Sequence, residues 1–231
     1  MHGTLLVRSS LEHGALAADV LSRGRPVAPH TVARTAVEHG LRGIYHLQHD
    51  VDDTERAVRR LLEWLYAVQE TERLVQGTPL DIEPSGQRAQ VQARAGALGL
   101  DVGKEQVAGR KRVSTMKLAE MYLAGERGRG VPNLLVRRSA AAAHGLETGL
   151  LSAVTERVGL AGVNVMDPAP APVKLLVLDL LTLPLAALAG MREIILRYGW
   201  DEQTRELQIL GRQSDVCLDL WRASIEETVS L

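Results

Sequence analysis

Two nine-residue stretches near the start of the chain carry the same pattern. Leu6-Val-Arg-Ser-Ser-Leu-Glu-His-Gly14 and Val32-Ala-Arg-Thr-Ala-Val-Glu-His-Gly40 place Arg, Glu, His and Gly at matching positions, offset by 26 residues. In each, arginine and glutamate are four residues apart, so on a helix they share one face, a turn from each other. Flanking Leu5, Leu11, Val32, Ala33, Ala36 and Val37 are apolar. Two readings follow. Either each pair is a surface salt bridge worth a few tenths of a kcal/mol, or the charges turn inward and the two helices supply each other's partners. The inward reading is the expectation taken forward. A third segment joins them: Arg137, Arg138 and His144 flank the alanine run Ala140–Ala143, whose small side chains let backbones approach. The three segments are expected to face one another in one bundle.

The remaining punctuation is helical too. Apolar Leu5, Leu11, Leu16, Val20 and Leu21 mark a first helix over 4–21, stopped by Ser22-Arg-Gly-Arg-Pro26. Pro29 suits the first turn of a second helix that runs through Leu47. Asp52 with Glu55 resembles a capping box for a third helix ending near Gln76. A polar helix over 85–98, a basic glycine-containing loop over 99–113 and a short helix over 114–124 follow. A central helix is expected over 132–158 and a short strand at 163–166. An apolar helix over 172–198, kinked at Pro184, and an amphipathic helix over 201–229 complete the chain. The expected fold is therefore all-α: one domain, residues 1–231, built as a bundle of seven to eight helices, with 77–131 a more mobile middle.

Composition narrows the function classes. A net charge of −1 gives no global field toward nucleic acid. Aromatics are 3% and phenylalanine is absent, which disfavours a stacking platform for single strands. One cysteine, Cys217, excludes a disulfide framework and fits a cytoplasmic setting. The apolar run 175–191 carries Asp179 and Pro184 and is short for a membrane span, and no secretory leader is evident at the start. There is no glycine-rich phosphate loop, so no organic cofactor is expected. The basic residues Lys104, Arg110, Lys111 and Arg112 could touch phosphate or simply be solvated.

The candidate site is Glu12, Glu38, Arg34, Arg138 and His144, with Arg8 beside them. Carboxylates and an imidazole in a low-dielectric interior would shift one another's pKa values and could bind a small molecule, or catalyse a cofactor-free cyclisation, isomerisation or hydrolysis. The same groups could instead be a structural polar network. A metal site is a further alternative: His144-Gly-Leu-Glu147 has helical spacing, Glu12-His13 and Glu38-His39 add carboxylates and imidazoles, and bundle di-iron sites use the reverse order, Glu-x-x-His. His46-x-x-His49-Asp50-x-Asp-Asp53 is similar to the aspartate-rich metal segment of terpene synthases, with a solvated helix cap as the plainer account. A homodimer is expected.

Pro26-x-x-Pro-His-x-x-Ala-Arg-x-x-x-Glu38, Glu63-Trp-Leu-Tyr-x-x-x-Glu70, Ser139-x-x-x-x-His144-Gly145 and Tyr198-Gly-Trp200 resemble an actinobacterial all-helical family of unknown function. That resemblance implies the fold and carries no activity. Gly40–His46 departs from it where paired aromatics are usual. Arg137 or Arg138 followed by His144 is also similar to the Arg-x(4–6)-His motif of the HEPN superfamily. That similarity implies a metal-independent ribonuclease, with His144 moving the ribose proton and Arg138 holding phosphate charge. Arg8–His13 and Arg34–His39 repeat the spacing.

Overall fold

In the computed structural model, the residues described are 2–23, 28–78, 83–123, 154–158, 164–168, 189–199 and scattered positions between 205 and 220. They are overwhelmingly helical. Helices α1 (His2–Ser22), α2 (Ala28–Leu47), α3 (Asp53–Val75), α4 (Glu83–Gly96) and α5 (Thr115–Leu123) are joined by α6 over residues 189–197. Helical residues recur from 205 to 220 and include Gly211. The all-α expectation holds. Among the described residues, sheet is confined to two small antiparallel pairs, β1 (Gln106–Val107) with β2 (Arg110–Lys111), and β3 (Val154–Val158) with β4 (Asn164–Pro168), plus an isolated bridge between Val102 and Val107. β4 answers the expected short strand. β3 corrects the central helix, whose predicted last turn is extended chain paired with β4 in the register Val154↔Pro168 to Val158↔Asn164.

The chain divides into two compact units: Met1–His49 with Thr115–Leu231, and Asp50–Ser114. The sequence reading drew one domain and no such division. It set 77–131 apart as a more mobile middle; of that stretch, α4 and β1 supply core to the second unit.

In the first unit α1 and α2 pack antiparallel. The His2 and His46 rings lie 4.9 Å apart at one end, and buried Ala17 and Ala33 cluster toward the other. The buried stripe of α1 is Gly3, Val7, Ser10 and Ala17, and that of α2 is Ala33, Ala36, Gly40, Gly43 and Leu47. With half-buried Gly14 these positions alternate steps of three and four residues, the period of a helix–helix seam. Leu5, Leu11 and Leu16, whose periodicity marked the helix, are about half exposed, at 55%, 48% and 49%. The seam is built from small residues, and the reason is geometric. A Cβ on Gly43 would lie 2.7 Å from Val7 Cγ2 and 3.1 Å from the Val7 backbone nitrogen. A Cβ on Gly3 would meet Leu47 Cγ at 2.8 Å and the Gly43 carbonyl at 3.2 Å. Val7 is also the contact for α6, where a Cβ on Gly190 would fall 2.6 Å from Val7 Cγ2. His49, just past α2, receives the Glu193 carboxylate of α6 on its backbone N–H (2.7 Å) and on Nδ1 (2.9 Å).

In the second unit Asp52 caps α3 by accepting from the Glu55 N–H at 2.6 Å. The Glu55 carboxylate itself faces Arg59 and Arg110, so only half of the expected capping box forms. Val58, Leu61, Leu62, Leu65 and Val68 of α3 are buried against Val91 and Ala95 of α4 and Val107 of β1. Arg88 of α4 grips Glu72 of α3 with two parallel bonds of 2.8 and 2.7 Å, and that contact holds the Glu72 carboxyl below its usual range. The basic loop is a tight hairpin: Val107 pairs with Arg110, leaving Ala108 and Gly109 at φ 50° and 72° in a two-residue turn of the kind that matches strand twist.

Alanine is the better helix former by about 1 kcal/mol, yet Gly43→Ala should destabilise the chain by about 1–3 kcal/mol, because the seam cannot take a methyl without separating. Gly86→Ala on α4, with nothing near its Cβ position, should be neutral or slightly stabilising. Chemical denaturation of both variants checks the contrast.

Candidate functional site

The repeated Arg/Glu/His pattern has two different fates. In α1, Arg8 Nε donates to Glu12 Oε1 at 2.8 Å, with side chains 75% and 62% exposed. This is a solvated surface pair. In α2, Glu38 turns toward α5. Its carboxylate accepts from Arg42 Nε at 3.2 Å and from Thr115 Oγ1 at 2.8 Å, while Arg42 Nη2 donates to the same threonine hydroxyl at 3.2 Å. The Arg42 side chain is only 5% exposed and Glu38 27%. A guanidinium that deep requires carboxylate and hydroxyl partners in place. Arg34, the partner expected for Glu38, is half-buried, and its Nη1 is buried with no hydrogen-bond partner among the described residues. Arg137, Arg138 and His144 lie outside the described residues, as does Glu147.

What the α1–α2 seam brings together is the pair of repeat histidines. The rings of His13 and His39 stand edge to face with centroids 5.6 Å apart. Ser9 lies between them, its Oγ 2.9 Å from His39 Nδ1 and 3.3 Å from His13 Nδ1. His13 Nδ1 is also 2.8 Å from the Ser9 carbonyl. A carbonyl can only accept, so His13 carries its proton on Nδ1. The serine hydroxyl then accepts weakly from His13 and has its single proton available for His39 Nδ1. With Ser9 donating there, the chain runs His13 to Ser9 to His39, and His39 keeps its own proton on Nε2. The adjacent Ser10 hydroxyl, fully buried, donates to the Ala36 carbonyl at 2.7 Å and locks the register of the two helices.

His39 is held below the ordinary histidine pKa. Burial is the largest cause, and the neighbouring His13 imidazole acts in the same direction. The Glu38 carboxylate opposes them and Arg42 adds to them. His39 is thus a neutral imidazole at pH 7, with one nitrogen bonded to a hydroxyl.

The sequence singled out Glu38, Arg34 and the repeat, and offered His13 and His39 as repeats of the Arg-x(4–6)-His spacing and as metal ligands, but passed over Ser9, Arg42 and Thr115. The signal for the histidine pair was present in the three-and-four spacing of small residues, which fixes the seam and therefore its flanks. Nothing local marks Thr115, which depends on the docking of α5 on α2. Among the described residues no group of three or more His, Cys, Asp or Glu side chains is placed to hold a metal ion, and no helix is long and apolar enough to cross a membrane. Comparison with protein-family models, curated proteins and solved structures finds no match to this chain.

The two glutamates of the repeat should therefore behave differently. Glu38→Ala, which deprives a buried guanidinium of its carboxylate, should cost about 3 kcal/mol. Glu12→Ala should stay within about 0.5 kcal/mol. Urea midpoints of the two variants give the comparison.

Proposed function

We propose that this chain is a small-molecule-binding helical protein whose α1–α2 edge carries out cofactor-free acid/base chemistry. Ser9 and His39 are the proton-moving pair. The observation that carries the reading is the Ser9 Oγ–His39 Nδ1 contact of 2.9 Å to an imidazole held neutral. A hydroxyl hydrogen-bonded to a neutral imidazole has a base positioned to take its proton as it attacks, or to return that proton to a leaving group. His13 orients the serine lone pairs from the other side. The Glu38–Arg42–Thr115 triangle supplies a fixed charge distribution beside the pair and is not itself a proton carrier. A polar ligand carrying a carbonyl or ester is the chemical class that such a pair would act on.

The HEPN-like ribonuclease is the second reading, and one observation favours keeping it. Arg34 and His39 have the Arg-x(4)-His spacing, and Arg34 Nη1 is a buried donor with no hydrogen-bond partner among the described residues, a position that suits an anion. On this reading His39 would move the ribose proton and Arg34 would meet phosphate.

A single set of variants separates the readings. With 4-nitrophenyl acetate as a minimal acyl probe at pH 7.5, the wild-type chain should release nitrophenolate at least about tenfold faster than Ser9→Ala or His39→Gln. Equal rates in all three proteins would sink the hydroxyl-activation reading. Metal-free cleavage of mixed RNA that is lost in His39→Gln and Arg34→Ala, with no esterase difference, would put the ribonuclease in its place.

A further inference from the structure

The basic segment singled out in the sequence finds a use in the second unit, independent of the histidine pair. A cavity of about 250 Å³ opens between α3 and the β1–β2 hairpin. Its floor is apolar, formed by Leu62, Leu65 and Tyr66, and its rim is charged. Arg112 forms one wall. Its guanidinium lies 3.9 Å from the Tyr66 ring centroid, and its Nε donates to Glu63 Oε2 at 2.7 Å, with both side chains mostly buried at 19% and 14% exposure. That pair is rigid and belongs to the scaffold. Gln69 braces the opposite side by donating its amide to the Lys104 carbonyl.

Two further cations line the same cavity under looser control. Lys111 Nζ is 4.0 Å from Glu105, and Arg73 pairs with Glu70 one turn earlier on α3. Both lysine and arginine side chains are about two-thirds exposed, at 67% and 66%. Pairs this exposed contribute little and open easily. Glu105 is the single carboxylate in the lining, and each of the three lining cations has a carboxylate partner: Arg112 with Glu63, Arg73 with Glu70 and Lys111 with Glu105. The cavity thus combines apolar lining residues, an aromatic–guanidinium wall and two exposed, weakly paired cations. That combination suits an apolar body buried on Leu62, Leu65 and Tyr66, with an anionic head at the rim.

We propose that this cavity is a binding site for a small organic anion, a single ring or short chain bearing one phosphate or carboxylate, held by Arg73 and Lys111. The volume sits just below the usual range for ligand pockets, roughly 300–1,000 Å³, which excludes a dinucleotide or a long acyl chain. Arginine forks and lysine point charges accept either head group, so the test carries both.

Phenyl phosphate and benzoate are titrated into the full chain, followed by amide shifts of Leu62, Tyr66 and Lys111, with inorganic phosphate and phenol as half-ligands. At least one of the two anions should bind at least about tenfold more tightly than either half-ligand, up to about 10 mM, a concentration that exceeds a millimolar dissociation constant. The preferred head group identifies the anion class. Arg73→Glu/Lys111→Glu should lose that binding by tenfold or more with an unchanged melting temperature, and Arg73→Gln/Lys111→Gln should lose part of it. No binding of either anion by about 10 mM, binding matched by inorganic phosphate or phenol alone, or binding untouched by the charge reversal would each overturn the proposal.

Discussion

Close approach of α1 to α2 is the constraint on which the first unit depends. Gly3, Val7 and Ser10 face Ala36, Gly43 and Leu47 so tightly that a single added methyl group at Gly43 collides with side chain and backbone together. Large side chains would give a roomier interface and hold the histidines apart. Small ones give up some buried apolar area, roughly 25 cal/mol for each Å², and return positional definition. Ser10 can reach the Ala36 carbonyl, and Ser9 can touch both imidazoles, because the backbones are near. Val7 extends the same logic to α6 through Gly190.

The repeat gains meaning from this geometry. Two antiparallel helices related by a local two-fold bring matching positions of a direct repeat face to face near the centre of the pair. His13 and His39 are such a pair, as are Ser10 and Ala36. The symmetry ends at the next turn. The position matching Arg42 in α1 is Leu16, half exposed, so Glu12 has no buried guanidinium to serve and stays with Arg8 in solvent. α5 then covers the α2 face with Thr115 and converts Glu38 from a surface group into the centre of a closed triangle.

Helix placement was legible because caps, prolines and glycines act locally: Asp52 begins α3, and Gly77 at φ 75° follows it. The buried face of α3 was legible because Val58, Leu61, Leu62, Leu65 and Val68 are large and periodic. Leu5, Leu11 and Leu16 marked α1 as a helix without defining its buried face, because the seam selects size over hydrophobicity. The β1–β2 turn was hidden because alanine, not asparagine or glycine, takes the first left-handed position at Ala108. Residues 154–158 read as helix because their strand character is supplied by pairing with 164–168, a partner that local propensity does not contain. Of the expected site, Glu38 lies in a buried network, Glu12 lies in solvent, and Arg138 and His144 fall outside the described residues.

The account centres on a neutral His39 bonded through Ser9 to His13. A histidine whose pKa is lower in the folded than in the unfolded chain gives the fold a stability that is present above the unfolded value of about 6.5 and is lost as pH falls through the folded value. Imidazole ¹⁵N spectra recorded across a pH titration test this directly. His39 should titrate below about 6.5, with its proton on Nε2 in the neutral form, and His13 should carry its proton on Nδ1. Ser9→Ala should change the His39 tautomer balance. A His39 that titrates at or above the ordinary value, with the same spectrum in Ser9→Ala, would contradict the account.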